Sequence, residues 1–232
     1  MDTIRNVQGL RRHWFLLCLK ITILFHFLPL LFRPRAKGCP TGRGNAWASS
    51  PQLSAPKEES EKTPPIIGSG AQSANLVPDH LSPRRFLMFL RRLLLFLSKL
   101  DHNKFVKIGS ATRMDLYVPS FPTEAFYAGC QKFLTFDQPL PCVTVLVSVT
   151  SACRFSCPHC YQRHDHGRDL ALDTLVPVIR RLQDRGMAFF NIEGGEPFLV
   201  YDRLKSVCAA IDRRSEVWVN STGDGITLPR LR

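Results

Sequence analysis

Residues 143–162 read VTVLVSVTSACRFSCPHCYQ, and this stretch decides the fold of the C-terminal half. Its first eight residues are apolar and mostly β-branched, which predicts a strand buried in a parallel sheet. Three cysteines follow, separated by three and then two residues: Cys153, Cys157 and Cys160. The predicted strand is therefore followed by a loop that contains three thiols.

Patterns of strand and helix alternate after this loop. Helices are predicted at residues 173–186 and 200–215, and strands at 187–195 and 216–222. Asp173 is the predicted N-cap of the first helix, with Pro177 in its first turn. This order predicts an α/β fold with a parallel sheet and right-handed crossovers. Because active groups collect where parallel strands end, the loops after all three strands should share one edge.

Three interpretations compete for the cysteine loop. Structural zinc prefers four ligands, and although His159 or His164 could supply the fourth, no second ligand pair follows at zinc-finger spacing. Unliganded buried cysteines would be an ordinary explanation for one thiol but a poor one for three beside polar neighbours. An iron-sulfur cluster suits closely spaced thiolates, and three of them leave one iron without a protein ligand.

Two motifs resemble a known family. CRFSCPHC (153–160) is similar to the CxxxCxΦC signature of the radical S-adenosylmethionine (radical SAM) superfamily, with His159 where an aromatic residue is usual. GGEP (194–197), at the end of the next predicted strand, resembles the second motif of that superfamily. The resemblance implies that Cys153, Cys157 and Cys160 hold a [4Fe-4S] cluster. S-adenosyl-L-methionine would chelate the fourth iron, and its reductive cleavage would give a 5'-deoxyadenosyl radical that abstracts hydrogen from a substrate.

The same resemblance implies roles for residues outside the cysteines. Cofactor-binding residues would be His159, beside the adenine, and Gly194, Gly195, Glu196 and Pro197, which would seat the methionine ammonium group. Asn220, Ser221 and Thr222 follow the third strand and match the family loosely; Ser221 is the candidate chosen for a cofactor contact. A tight strand-to-helix turn is the alternative for GGEP, and a solvated turn is the alternative for residues 220–222. No residue is assigned a catalytic role.

The resemblance covers about residues 143–232, which contain two strand-helix units and a third strand. The fold class expected from it is an α/β parallel partial TIM-type barrel, with only the first two to three βα units and a helical or disordered N-terminal region before them. A sheet of this size leaves an edge unpaired, so either a longer protein or a partner is expected to supply the rest.

The first part of the chain is strongly basic. Residues 1–140 carry 19 Lys and Arg against 9 Asp and Glu, whereas the whole chain has a net charge of +12. Apolar stretches accompany this charge, which favours an anionic membrane surface as partner and makes nucleic acid unlikely. The predicted segments are an apolar basic anchor or signal-like segment (1–35), a disordered linker (36–83), a basic amphipathic helix with a lead-in (84–142) and the N-terminal part of the radical SAM core (143–232).

Residues 14–32 are close to the length that crosses a bilayer, but a cleaved signal peptide or a mispredicted start is also compatible with them. The eight cysteines show no framework spacing, which favours a reducing compartment. The expected location is therefore cytoplasmic and membrane-associated, with an electron donor of the ferredoxin or flavodoxin type. Two alternatives are a non-catalytic or truncated iron-sulfur protein and a membrane-surface protein with structural zinc.

Overall fold

The computed structural model of the chain describes residues 4–32, 81–100, 103–136, 141–162 and 167–231. Most of the predicted linker and His164 lie outside these residues. In chain order the elements are β1 (Ile4–Val7), α1 (Leu10–Phe27), α2 (Pro83–Ser98), β2 (Phe105–Ile108), β3 (Ala111–Arg113), α3 (Glu124–Gln131), β4 (Thr144–Ser148), α4 (Leu172–Asp184), β5 (Phe189–Glu193), α5 (Tyr201–Ala209) and β6 (Glu216–Val219). Short 3-10 helices lie at Leu28–Leu31, Lys132–Leu134, Pro197–Val200 and Leu228–Leu231.

The C-terminal half contains a parallel sheet in the order β4-β5-β6. Thr144 pairs with Phe189, and Phe189 pairs in turn with Glu216, so the three strands begin at one level. Helices α4 and α5 connect the strands, which confirms the predicted alternation of strand and helix. The described part of the chain contributes three strands to this sheet, so the barrel remains a prediction.

The sheet has two different faces, because side chains alternate along each strand. Val147, Phe190 and Ile192 pack under α4 and α5 with the buried side chains of those helices. The opposite face carries Thr144, Leu146, Phe189, Asn191, Glu216 and Trp218. Leu146 is 51% exposed there, so β4 is not buried along its length as the sequence predicts. β4 is an edge strand of the described sheet, and an edge strand lacks a neighbour on one side.

Helix α4 begins earlier than the sequence predicts. Ala171 occupies the N-cap position and Asp173 lies inside the first turn, where a carboxylate still interacts favourably with the helix dipole. Pro177 consequently lies within the helix and not in its first turn. Gln183, near the end of α4, is buried because its side-chain amide donates to Asp212 O (3.0 Å) and Ser215 Oγ (2.8 Å).

The N-terminal part builds its own core from α1, α2, α3 and an antiparallel sheet in the order β1-β2-β3. Leu19, Ile23 and Phe27 of α1 meet Phe89 and Leu93 of α2 in that core. Within the described residues one helical stretch, Leu10–Leu31, is long and apolar enough to cross a membrane by length and composition alone; 22% of its 18-residue apolar window is buried against the protein. Helix α2, predicted as a basic amphipathic helix, packs into this core through Phe86, Phe89, Leu93 and Leu97.

A buried ion pair joins the N-terminal part to the parallel sheet. Arg113 of β3 reaches the sheet face that is turned away from α4 and α5. It pairs there with Glu216 of β6 at 3.1 Å, and the two side chains are 7% and 17% exposed. Glu216 also accepts from the backbone N–H of Ser120 (2.6 Å) and from its hydroxyl (3.0 Å). The Arg113 guanidinium lies 3.2 Å from the centroid of the Trp218 ring. Residues 113–120 therefore cover this face at the end where the strands begin.

We expect Glu216→Ala to lower the free energy of unfolding by about 3–5 kcal/mol, because it leaves the Arg113 guanidinium buried without its counter-charge. The matched control is Glu124→Ala, which breaks an exposed ion pair with Arg213 (3.1 Å) and should cost at most about 1 kcal/mol. Urea unfolding followed by circular dichroism measures both. Equal effects of the two substitutions would show that the Arg113–Glu216 pair does not hold the two parts together.

Candidate active site

Three loops meet where the parallel strands end. The strand ladder continues past β4 and β5, since Val149 N–H donates to Glu193 O (2.8 Å) and Gly195 N–H donates to Thr150 O (2.7 Å). Glu196 N–H then donates to Ala152 O at 2.8 Å, directly beside the first cysteine. The cysteine loop and the GGEP loop are thus joined backbone to backbone, as the shared-edge argument predicts.

The two glycines are required by this close contact. Gly194 has a φ of +146°, and a Cβ added there would lie 2.5 Å from Thr150 O. A Cβ on Gly195 would lie 2.1 Å from Ala152 O, well inside van der Waals contact with a backbone atom that cannot move independently. The resemblance assigned these glycines to the seat of the methionine ammonium group. In this structure the group that approaches them is the start of the cysteine loop.

Glu196 is fully buried and its carboxylate is held by protein donors. Oε1 accepts from Phe198 N–H (3.0 Å) and Ser221 Oγ (2.7 Å), while Oε2 accepts from Thr222 N–H (2.8 Å) and Thr222 Oγ1 (2.7 Å). Burial raises the pKa of this carboxyl, but the hydrogen bonds from Thr222, Phe198 and Ser221 outweigh it and hold the pKa below its ordinary value. Glu196 therefore clamps the loop after β5 to the loop after β6.

The loop after β6 is oriented by this clamp and by the cysteine loop. Asn220 N–H extends the ladder by donating to Ile192 O at 2.8 Å. The Ser221 hydroxyl, predicted to contact a cofactor, donates to Glu196 in this structure. Arg154, which follows the first cysteine, pairs with Asp224 at 3.4 Å. The GGEP loop and the loop after β6 are therefore both in contact with the cysteine loop.

We expect Glu196→Gln to lower the free energy of unfolding by about 1–3 kcal/mol at neutral pH, because an amide NH₂ would face donors that now meet an oxygen. The pKa of Glu196 is lower in the folded protein than in the unfolded chain. The ionised carboxylate therefore stabilises the fold at pH values above the ordinary pKa of a glutamate, and this stabilisation is lost as the pH falls through the lowered pKa of the folded protein. The difference between the two proteins should consequently shrink on acidification. Thermal unfolding at several pH values measures it.

Glu124→Gln is the control, since Glu124 is exposed and lies outside the site. A Glu196→Gln effect no larger than that of Glu124→Gln at neutral pH would contradict the clamp.

The three cysteines lie together on the loop after β4. Cys153 and Cys160 are exposed, Cys157 is half-buried, and all three thiols are free of disulfide bonds. Phe155 N–H donates to Cys153 Sγ at 3.4 Å. The described residues nevertheless contain no group of three His, Cys, Asp or Glu side chains arranged to hold a metal ion. His159 is exposed on the same loop.

The donor set fits an iron-sulfur cluster better than it fits another metal group. Thiolates are the usual ligands of such clusters, and N–H groups that donate to sulfur are among the features that tune them. The accessible thiols and the Phe155 N–H bond supply both features on one loop. Cys153, Cys157 and Cys160 are therefore the residues that could hold a cluster.

Four site residues were missed by the sequence analysis. Tyr161, next to the last cysteine, donates its hydroxyl to Glu193, the final residue of β5. Although Tyr161 is exposed, partial desolvation and this hydrogen bond to Glu193 raise its pKa to about 12. Asp169 accepts from Ser151 N–H at 2.9 Å, and Arg203 of α5 donates to Val149 O. The position of Glu193 at a strand end was the signal that could have identified it.

Comparison with known families supports the resemblance. The family model described as the radical SAM superfamily matches residues 147–229, a stretch that contains all three loops. This match supports assignment of that part of the chain to the superfamily. No solved structure matches the chain.

Proposed function

We propose that residues 143–231 form the cofactor-binding part of a radical SAM enzyme. Cys153, Cys157 and Cys160 would hold a [4Fe-4S] cluster whose remaining iron binds S-adenosyl-L-methionine. The single observation that carries the proposal is the joining of the cysteine, GGEP and third-strand loops at one edge of a parallel sheet. When bound, the cluster and S-adenosyl-L-methionine supply one-electron cleavage of a sulfonium bond and hence a radical that removes hydrogen from a substrate.

The role proposed for the protein is to hold these loops in one arrangement. The Gly195–Thr150 and Glu196–Ala152 hydrogen bonds fix the cysteine loop relative to GGEP. The Glu196 carboxylate fixes the third loop and is itself unavailable to a cofactor in this arrangement. We therefore propose that GGEP contributes to the methionine ammonium site through its backbone carbonyl groups, which can accept hydrogen bonds from an ammonium group.

The sheet face that is turned away from α4 and α5 is the proposed substrate side. Leu146 is exposed there, and Glu193 ends β5 on the same face beside Tyr161. The exposure of Cys153 and Cys160 leaves the cysteine loop accessible to an electron-donor protein of the ferredoxin or flavodoxin type. A cytoplasmic location is proposed with it, because low-potential electrons and cluster assembly are provided there.

Anaerobic reconstitution with iron and sulfide tests this function. We expect about four irons and four sulfides per chain, with broad visible absorbance. Under reducing conditions the protein should convert S-adenosyl-L-methionine to methionine and 5'-deoxyadenosine. A cluster that leaves S-adenosyl-L-methionine unchanged would favour a non-catalytic iron-sulfur protein, and colourless protein that retains zinc would overturn the proposal.

A further inference from the structure

Helix α1 carries an exposed apolar stripe on the side away from the core. The exposed fractions of its members are Leu10 86%, Trp14 68%, Leu17 49%, Ile21 44% and Phe25 65%. At 3.6 residues per turn these five positions lie within about 80° of the helix circumference and extend for about 22 Å. Soluble proteins rarely leave an apolar surface of this kind uncovered. The stripe therefore indicates an interaction surface.

The opposite side of α1 is committed to the protein core. Leu19, Ile23 and Phe27 are at most 2% exposed and pack against α2. A helix held in this way presents only one face to its surroundings. It is therefore suited to lie along a surface with the stripe inward, as interfacial helices do, whereas crossing a bilayer would require it to leave the core.

Positive charge flanks the stripe on both sides. Arg11 and Lys20 are exposed and lie about 80° and 100° from the centre of the stripe, in opposite directions. Helix α1 contains no Asp or Glu, so no acidic side chain of this helix offsets these two cations. Two copies of this face would oppose like charges, whereas anionic phospholipid headgroups carry the complementary charge.

We propose that the outer face of α1 docks on an anionic lipid bilayer with the helix parallel to the membrane plane. The five stripe side chains enter the boundary between headgroups and acyl chains, with the Trp14 ring at headgroup depth. Arg11 and Lys20 contact lipid phosphates on either side. This surface is independent of the cysteine site, so its test requires neither cluster nor S-adenosyl-L-methionine.

Co-sedimentation of the full chain with vesicles tests the docking. The chain should bind vesicles of phosphatidylcholine mixed with phosphatidylglycerol more tightly than vesicles of phosphatidylcholine alone, and binding should weaken as salt is raised. Alkaline carbonate should release it from the vesicles. Failure to bind anionic vesicles, or retention after carbonate extraction, would overturn in-plane docking.

Two variants locate the surface. Trp14→Ser with Phe25→Ser should weaken binding about tenfold or more, because it removes the two largest apolar side chains of the stripe. Leu116→Ser with Leu228→Ser removes two similarly exposed apolar side chains elsewhere and should leave binding unchanged. Circular dichroism confirms that both variants fold. Equal binding by the two variants, or a wild-type dimer that the Trp14/Phe25 variant dissociates, would overturn the proposal.

Discussion

Cys157→Ala is expected to abolish assembly of a stable [4Fe-4S] cluster. Two thiolates on this exposed loop cannot supply the three protein ligands that the proposed cluster requires. Iron and sulfide content after anaerobic reconstitution should fall to background, and the visible absorbance should disappear. Formation of 5'-deoxyadenosine should be lost with it.

The control for this substitution is Cys142→Ala, which removes an exposed free thiol just before β4. It should leave iron content and spectrum unchanged. Because Cys157 itself belongs to neither hydrophobic core, the metal-free variant should unfold at the same temperature as the metal-free wild type. Unchanged iron uptake and spectrum in Cys157→Ala would contradict the assignment of this residue as a ligand.

Gly195→Ala is expected to push the cysteine loop and the GGEP loop apart. The new methyl group would lie 2.1 Å from Ala152 O, so either the cysteine loop or the GGEP loop must move. We expect a loss of about 3 kcal/mol or more in unfolding free energy, together with loss of the Gly195–Thr150 and Glu196–Ala152 hydrogen bonds. Reconstituted iron should be low, and the affinity for S-adenosyl-L-methionine should fall more than tenfold.

Gly129→Ala is the matched control, because Gly129 lies in α3 and a Cβ there would meet Ala188 Cβ at 3.4 Å, the near limit of ordinary van der Waals contact. It should reconstitute like the wild type. Wild-type iron content and cofactor affinity in Gly195→Ala would show that the backbone contact between the loops is not required.

The sequence could predict those features that have a local pattern. The β-branched run at 143–150 predicted β4, and the alternation of strand and helix patterns predicted the parallel sheet. Both predictions depend only on residues that are close together in the sequence. Placing GGEP at the end of β5 followed from the same alternation. The N-cap of α4 was placed two residues too late, because Asp173 favours both the N-cap position and the first turn.

Features that depend on distant partners could not be predicted. Ile4 of β1 pairs with Ile108 of β2, and nothing local in either segment specifies the other. Glu216 has no motif, and its role depends on Arg113, which lies 103 residues earlier in the chain. The carboxylate of Glu196 could be recognised as important, but its use as a clamp depends on donors that fold back from the turn after β6.

The most direct test of the central claim is low-temperature electron paramagnetic resonance of the reduced, reconstituted chain with and without S-adenosyl-L-methionine. If three thiolates leave one iron for the cofactor, its addition should shift the g values of the cluster signal, and amino-group ¹⁵N labelling should give a coupling to the cluster in electron-nuclear double resonance. A cluster signal that is identical with and without S-adenosyl-L-methionine, and that shows no ¹⁵N coupling, would contradict the claim.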